Sequence, residues 1–262
     1  MKLVRIHAVM HRHWIVLRRA PHRFFEISFW PVMDVLLWGS LGAYVAKQSP
    51  SSHATTPYLL AGIVMFWTFT QAQFSIALGV NEETWTRNIL NVLTTPVTEI
   101  EYIVGIALFG LLKLALCLLT LTITTIIFFG FNLSAVGWAV IPIAAVLVIN
   151  GWALALLVVG LVLRFGQSAE ILIWGFNYVL LAFSGVFFPV NALPANMQVV
   201  AQWLPTTKAF QALRDVLGGQ PMPWGLIAEA FVGSILVFAF TFWCATRLLA
   251  VFRRRGLVTR YS

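Results

Sequence analysis

The chain has 262 residues, of which 60% are hydrophobic and only 10% are charged. A soluble domain usually carries about 25% charged residues, so this composition excludes a soluble globular protein and indicates one that crosses a membrane several times. The formal net charge is +8, but the basic residues lie at the ends of apolar runs, where they set membrane orientation and do not indicate nucleic-acid binding.

The first 23 residues predict a basic amphipathic helix whose apolar positions share one face: Leu3, Ile6, Met10, Trp14 and Leu17. Such a pattern is typical of a helix lying in the membrane interface, and we expect it to brace the first span. A simple orientation signal is the alternative. Four histidines of this segment have no carboxylate or cysteine beside them, so we interpret them as solvated or headgroup-facing groups and not as metal ligands: His7, His11, His13 and His22.

Six apolar runs are each long enough to cross the hydrocarbon core as a helix of about 20 residues. They lie at about 25–46, 58–80, 102–129, 138–163, 169–188 and 225–249. The predicted fold is therefore all-α, a single six-span membrane domain over residues 1–262. Thirteen of the 17 lysines and arginines fall before span one, after spans two and four, or from the end of span six (Arg247) onward, which places both termini in the cytoplasm. The two cysteines, Cys117 and Cys244, lie inside apolar runs and form neither a disulfide framework nor a metal site.

Two charged residues lie deep inside predicted spans, Asp34 in the first and Lys113 in the third, whereas Glu170 and Glu229 lie near the ends of theirs. Counted from the cytoplasmic ends, both lie roughly 15–18 Å deep at 1.5 Å per residue, so they are placed to pair. A structural ion pair that fixes helix register is one interpretation; a substrate contact or proton relay is the other.

The polar stretch 82–95 between spans two and three predicts a short amphipathic helix in a cytoplasmic loop. Glu82 and Glu83 fall in its first turn, where the helix dipole favours acids, and Pro96 ends it. Its apolar face is formed by Trp85, Ile89, Val92 and Leu93, and Arg87 lies on the other face. By composition alone this helix could lie flat on lipid or dock into a soluble partner.

Polar and aromatic residues of the fifth predicted span are candidates for a transport pathway: Asn177, Tyr178, Phe183 and Phe187. Lipid-facing aromatic side chains are the alternative interpretation. The segment that follows predicts two short external helices, about 195–203 and 207–217, separated by Pro205 and with Thr206 placed to cap the second. We expect these helices to dip into the bilayer and cover the pathway.

Three of these regions together resemble the ABC type-2 exporter permease family. The polar segment 82–95 is followed by Thr95-Pro96 and an acidic residue before span three, and residues 187–220 read "FFPVNALPANMQVVAQWLPTTKAFQALRDVLGGQ". The amphipathic N-terminal helix and the six-span layout are similar as well. The resemblance implies that 82–95 is the coupling helix, with the six residues Glu82, Glu83, Trp85, Arg87, Ile89 and Leu93 near a separate ATPase subunit.

The resemblance also implies the partners and the location. Two permease subunits, identical or different, would assemble with two ATPase subunits in the bacterial cytoplasmic membrane. The substrate would be an amphipathic, lipid-linked, glycan-like or drug-like molecule, as in multidrug, lipo-oligosaccharide or polysaccharide exporters. The chain has no G-x-x-x-x-G-K-[ST] motif, so ATP and magnesium are expected in the partner subunit and no cofactor or catalytic residue in this chain. An ion-gradient-driven secondary transporter or channel is the alternative function.

Overall fold

The computed structural model describes residues 2–48, 55–85 and 94–254, and these residues form helices and connecting turns without a strand. The described residues form nine α-helices, some of them connected by short 3₁₀ turns. Their bounds are α1 Leu3–Arg19, α2 Pro21–Gln48, α3 Thr55–Trp85, α4 Glu99–Phe129, α5 Val140–Phe165, α6 Ile171–Phe183, α7 Ala195–Trp203, α8 Pro205–Leu217 and α9 Trp224–Arg254. The prediction of an all-α membrane protein is confirmed.

Five helices of the described residues, α2, α3, α4, α5 and α9, are long and apolar enough to cross a membrane. The fifth predicted run, 169–188, contains only the 13-residue helix α6, preceded by a 3₁₀ turn over Gln167–Glu170. Helix α6 ends five residues before the run does because Ser184 caps it and Gly185 adopts a positive φ of 68°. A left-handed residue at that position turns the chain out of the helix.

Helix α3 lies at the centre of the bundle, and nearly all of its membrane-length segment is buried. It packs against α2, α4 and α5, while α5 packs in turn against α9 and α8. Close approach depends on glycines: a Cβ at Gly62 of α3 would lie 2.5 Å from the carbonyl oxygen of Val186, and one at Gly151 of α5 would lie 2.5 Å from that of Phe69. Small residues at helix contacts are the usual way that membrane helices approach one another.

Helix α1 is shorter than the predicted 1–23 and packs mainly against α4, with a smaller contact to α2, the span that it was expected to brace. Its buried face consists of Ile6, Val9 and Leu17, whereas Leu3 and Trp14 of the predicted apolar face are exposed. The contact is close because Gly105 of α4 leaves room for Val9: a Cβ there would lie 2.8 Å from Val9 Cβ. A helical period identifies an apolar face but does not identify the helix that this face contacts.

The two short helices after α6 are α7 and α8, and α8 begins at Pro205, two residues earlier than predicted. The N-cap is Leu204, without a side-chain hydrogen bond, so the prediction that Thr206 caps this helix was wrong. Proline occupies the first turn because its missing N–H needs no partner there. The Thr206 hydroxyl instead forms a 2.7 Å hydrogen bond with the hydroxyl of Ser184, just beyond α6.

Candidate functional site

Three ion pairs join α1 and the start of α2 to the ends of α3 and α4. Arg12 contacts Glu83 at 2.6 Å and Arg23 contacts Glu82 at 2.7 Å, both on the last turn of α3. Arg5 contacts Glu101, in the first turn of α4, at 3.3 Å. We call these three pairs the ion-pair cluster. Arg5 and Arg12 can reach acids on neighbouring helices because residues seven apart lie on the same side of α1.

Glu101 also fixes the start of α4. Its carboxylate accepts hydrogen bonds from the backbone N–H of Thr98 at 3.0 Å and from that of Lys2 at 2.7 Å, while the Thr98 hydroxyl accepts from the N–H of Glu101. This reciprocal arrangement is a capping box, which satisfies N–H groups that a helix start leaves unpaired.

The predicted helix 82–95 differs at its start. Residues 82–85 continue α3, so Glu82 and Glu83 belong to the end of that helix and not to the first turn of a new one. Acids at a helix C-terminus oppose the helix dipole, and the pairs with Arg12 and Arg23 offset that cost. Trp85 is the last residue of α3, whereas Arg87, Ile89 and Leu93 lie outside the described residues.

Asp34 and Lys113 form no ion pair with each other in the part of the chain that the structure describes. The Asp34 carboxylate accepts a 3.0 Å hydrogen bond from the indole N–H of Trp67. The Lys113 ammonium lies 5.5 Å from the centroid of the Phe109 ring. The predicted pair was therefore wrong, because equal depth along two helices does not fix the direction in which their side chains point.

The four candidates of the fifth run occupy different environments. Asn177 is buried and bonds to Thr70 and Gln73 of α3, so it joins two helices. Phe187 stacks on Trp38 of α2 with 3.7 Å between ring centroids, and Phe183 is half-buried. Tyr178 is 67% exposed on the outside of the bundle. The structure does not bring these four side chains together.

A cavity of about 320 Å³ lies between α1, α2, α3 and α4, with Trp174 of α6 at its edge. Its walls are rich in aromatic rings, namely Trp30, Trp67, Phe74, Phe109 and Trp174. Polar groups also line it, namely His13, Arg23, Gln71, Ser75, Glu82 and Lys113. We call this space the α1 cavity. The paired side chains of Arg23 and Glu82 both lie in its wall.

The sequence model of the ABC-2 type transporter family matches residues 5–217. The chain belongs to this family. It is accordingly a transmembrane permease component of an ABC transporter. No curated protein matches the chain.

Sequence reasoning missed two residues of this ABC-2 permease. His13, interpreted as a headgroup-facing histidine, lines the α1 cavity, and burial lowers its pKa to about 4, with the charge of Lys113 as a further cause. The sequence pattern that could have predicted its burial is its position four residues from both Val9 and Leu17, which places it on the buried face of α1. Arg214, in α8, donates to the carbonyl oxygens of Gly185 and Phe188 after α6. No local pattern indicated that contact.

Proposed function

We propose that this permease is the membrane subunit of an ATP-driven exporter and that the segment between α3 and α4 couples it to a separate ATPase chain. The ion-pair cluster supports the proposal most directly. Glu82 and Glu83 lie before the segment and Glu101 lies after it, and all three bind arginines of α1 or α2. Both ends of the segment are thus tied to α1, and the end before it is tied to α2 as well.

These ties provide a physical route for coupling. A force on residues 86–93 acts on the last turn of α3 and the first turn of α4, and the arginines carry it to α1 and α2. The four helices that receive it are the ones that surround the α1 cavity. A movement of the segment therefore changes the shape of that cavity, which is what alternating access requires of a coupling element.

The chain has no phosphate-cradling loop, so the nucleotide and its magnesium belong to the partner chain. Two permease subunits and two ATPase subunits make the complete exporter, in the bacterial cytoplasmic membrane with both permease termini in the cytoplasm. The exported molecule is amphipathic, since the α1 cavity combines aromatic walls with charged groups. Trp85, Arg87, Ile89 and Leu93 are the residues that meet the ATPase.

Replacing Trp85 and Ile89 together by aspartate tests the docking assignment. We expect the double variant to insert into the membrane at normal yield but to lose co-purification of the ATPase, because apolar anchors carry most of the affinity of such interfaces. Trp203 and Val199 on α7 provide a matched control, since they have the same residue spacing and are 84% and 62% exposed. Aspartate at these two positions should leave ATPase binding intact. Persistent ATPase binding by the Trp85/Ile89 variant would overturn the assignment.

A further inference from the structure

Pro31 interrupts the backbone hydrogen-bond ladder of α2. The helix continues through this residue, from Pro21 to Gln48. A proline has no backbone N–H, so the carbonyl group four residues earlier, that of Ile27, loses its helical donor. In a membrane helix such a carbonyl is satisfied by a neighbouring helix or side chain, because the hydrocarbon core offers no water. A proline inside a helix is also a common site of bending.

Gln71 of α3 supplies the replacement donor. Its side chain is buried, and Nε2 donates a hydrogen bond to the carbonyl oxygen of Ile27 at 3.3 Å. Both residues line the α1 cavity. A side-chain bond to a different helix therefore takes the place of one backbone bond within α2. Such a bond can break without the loss of a helical turn, because the backbone bonds on either side of it remain.

The two parts of α2 on either side of the proline are held differently. Residues 32–48, which we call the distal arm, pack directly against α3. The carboxylate of Asp34 accepts a hydrogen bond from Trp67 at 3.0 Å, and a Cβ at Gly42 would lie only 3.0 Å from the Cα of Thr56. A glycine at a helix contact allows two backbones to approach this closely. The distal arm is consequently fixed to the centre of the bundle.

Residues 21–30, which we call the proximal arm, are attached to their neighbours mainly by polar side chains. Besides the bond to Gln71, Arg23 pairs with Glu82 at 2.7 Å, and the hydroxyl groups of Ser28 and Thr120 form a hydrogen bond at 3.3 Å. Among the large apolar side chains of this arm, Ile27 is buried, whereas three are exposed: Phe24, Phe25 and Trp30. The proximal arm is therefore held less firmly than the distal arm.

We propose that Pro31 is a hinge in α2 and that Gln71 is the positioning residue that holds this hinge in the observed conformation. When the bond between Gln71 and the Ile27 carbonyl breaks, the proximal arm pivots on the fixed distal arm. The proximal arm forms part of the wall of the α1 cavity, so the pivot changes the shape of that space. Its ion pair with Glu82 connects it to the segment between α3 and α4. That an ATPase drives the pivot rests on the proposed function; the hinge itself does not.

Thermal unfolding of the full chain in detergent tests the role of Gln71. Gln71→Leu should lower the melting temperature by about 2–4 °C, because it leaves the Ile27 carbonyl without this donor. In a Pro31→Ala background the same change should cost less than half as much, since the new backbone N–H restores the helical bond. Gln73→Leu is the matched control. Gln73 donates to the carbonyl of Ile173 at 3.0 Å, where no proline removes the helical donor, so its loss should be equal in both backgrounds.

Distances between pairs of spin labels show whether the arm moves, which a merely structural proline would not affect. In a cysteine-free background, one label is placed at Phe240 of α9 and the other at Phe25 of the proximal arm or at Leu41 of the distal arm, and all three positions are exposed. We expect a broader distance distribution for the Phe25 pair than for the Leu41 pair. Pro31→Ala should narrow the distribution of the Phe25 pair and Gln71→Leu should broaden it, while that of the Leu41 pair stays unchanged.

Either of two results would overturn the proposal. One is a loss from Gln71→Leu that is the same with and without Pro31→Ala; the other is a Phe25 distribution that Pro31→Ala does not narrow. If Gln71→Leu does not fold, the effect of Pro31→Ala on the Phe25 pair decides the question. Adding the ATPase and ATP to the labelled chain tests the drive separately. A Phe25 distance that does not respond would contradict the proposed function and leave the hinge in place.

Discussion

At the scale of single residues, Asp34 and Lys113 lie at similar depth but contact different aromatic neighbours. The Asp34 carboxylate accepts from Trp67, which also lines the α1 cavity, while the Lys113 ammonium lies over Phe109. The hydrogen bond to Trp67 satisfies Asp34 inside the bundle and fixes the orientation of one aromatic wall of the cavity. Each charge therefore has a separate structural role.

A double-mutant cycle distinguishes these contacts. Asp34→Ala leaves the indole N–H of Trp67 without its acceptor, and Trp67→Phe leaves the carboxylate without its donor. The double variant should therefore lose about 1 kcal/mol less unfolding free energy than the sum of the two single losses. The stability losses of Asp34→Ala and Lys113→Gln should be additive, because these residues do not contact each other. Thermal unfolding of the purified variants measures both. Additive losses for Asp34 and Trp67 would contradict the hydrogen bond.

At the scale of elements, the crossing of α3 against the turn after α6 depends on one glycine. Gly62→Ala places a methyl group 2.5 Å from the Val186 carbonyl oxygen, a backbone atom that cannot move aside without displacing the turn. We expect a loss of about 1–3 kcal/mol, measured as a lower melting temperature and folded yield. Gly225→Ala in α9 is the control, since its Cβ meets nothing within 4 Å and alanine favours the helix. Equal behaviour of the two variants would mean that α3 and this turn are not in contact.

Arg214 joins three elements on the opposite side of the bundle from the ion-pair cluster. It donates to the carbonyl oxygens of Gly185 and Phe188 and to the hydroxyl of Tyr58 near the start of α3, over whose ring it also lies. The guanidinium thus supplies a donor to the Phe188 carbonyl and shares the Gly185 carbonyl with the Tyr58 hydroxyl, which donates to it at 2.9 Å.

Arg214→Ala should lower stability by about 1–3 kcal/mol, because it removes the donor of the Phe188 carbonyl and one of the two donors of the Gly185 carbonyl. The stability of Arg214→Lys should lie between that of Arg214→Ala and that of the wild type, since an ammonium retains the charge but not the planar donor geometry. Lys208→Gln should change the melting temperature very little, because its partner Glu229 is 65% exposed. A large effect of Lys208→Gln with none for Arg214→Ala would reverse this assignment.

At the scale of the whole molecule, the ion-pair cluster and the Arg214 contacts lie at opposite ends of α3. We predict that the first faces the cytoplasm and the second the outside. In a background with Cys117 and Cys244 replaced by alanine, single cysteines at Gln211 and Asp215 should react with a membrane-impermeant maleimide in intact cells. A cysteine at Arg18 should react only after permeabilisation. The reverse pattern would invert the orientation.

The sequence by itself determined the class of the molecule and the approximate positions of most helices. Apolar runs as long as 102–129 form helices because no other structure of that length satisfies its backbone in lipid, and α4 covers that run. Proline and glycine positions likewise indicated where α7 and α8 begin and end, to within two residues. These features are local, since each depends on residues within one or two turns.

Only the tertiary structure decided which side chains meet. Helical period gives a face and residue counting gives a depth, but neither gives the rotation of one helix about another. The partner of Asp34 was therefore mistaken, and α1 proved to pack mainly on α4 and less on the first span. The α1 cavity and its unpaired His13 nitrogen exist because α1, α2, α3 and α4 leave a gap where they converge.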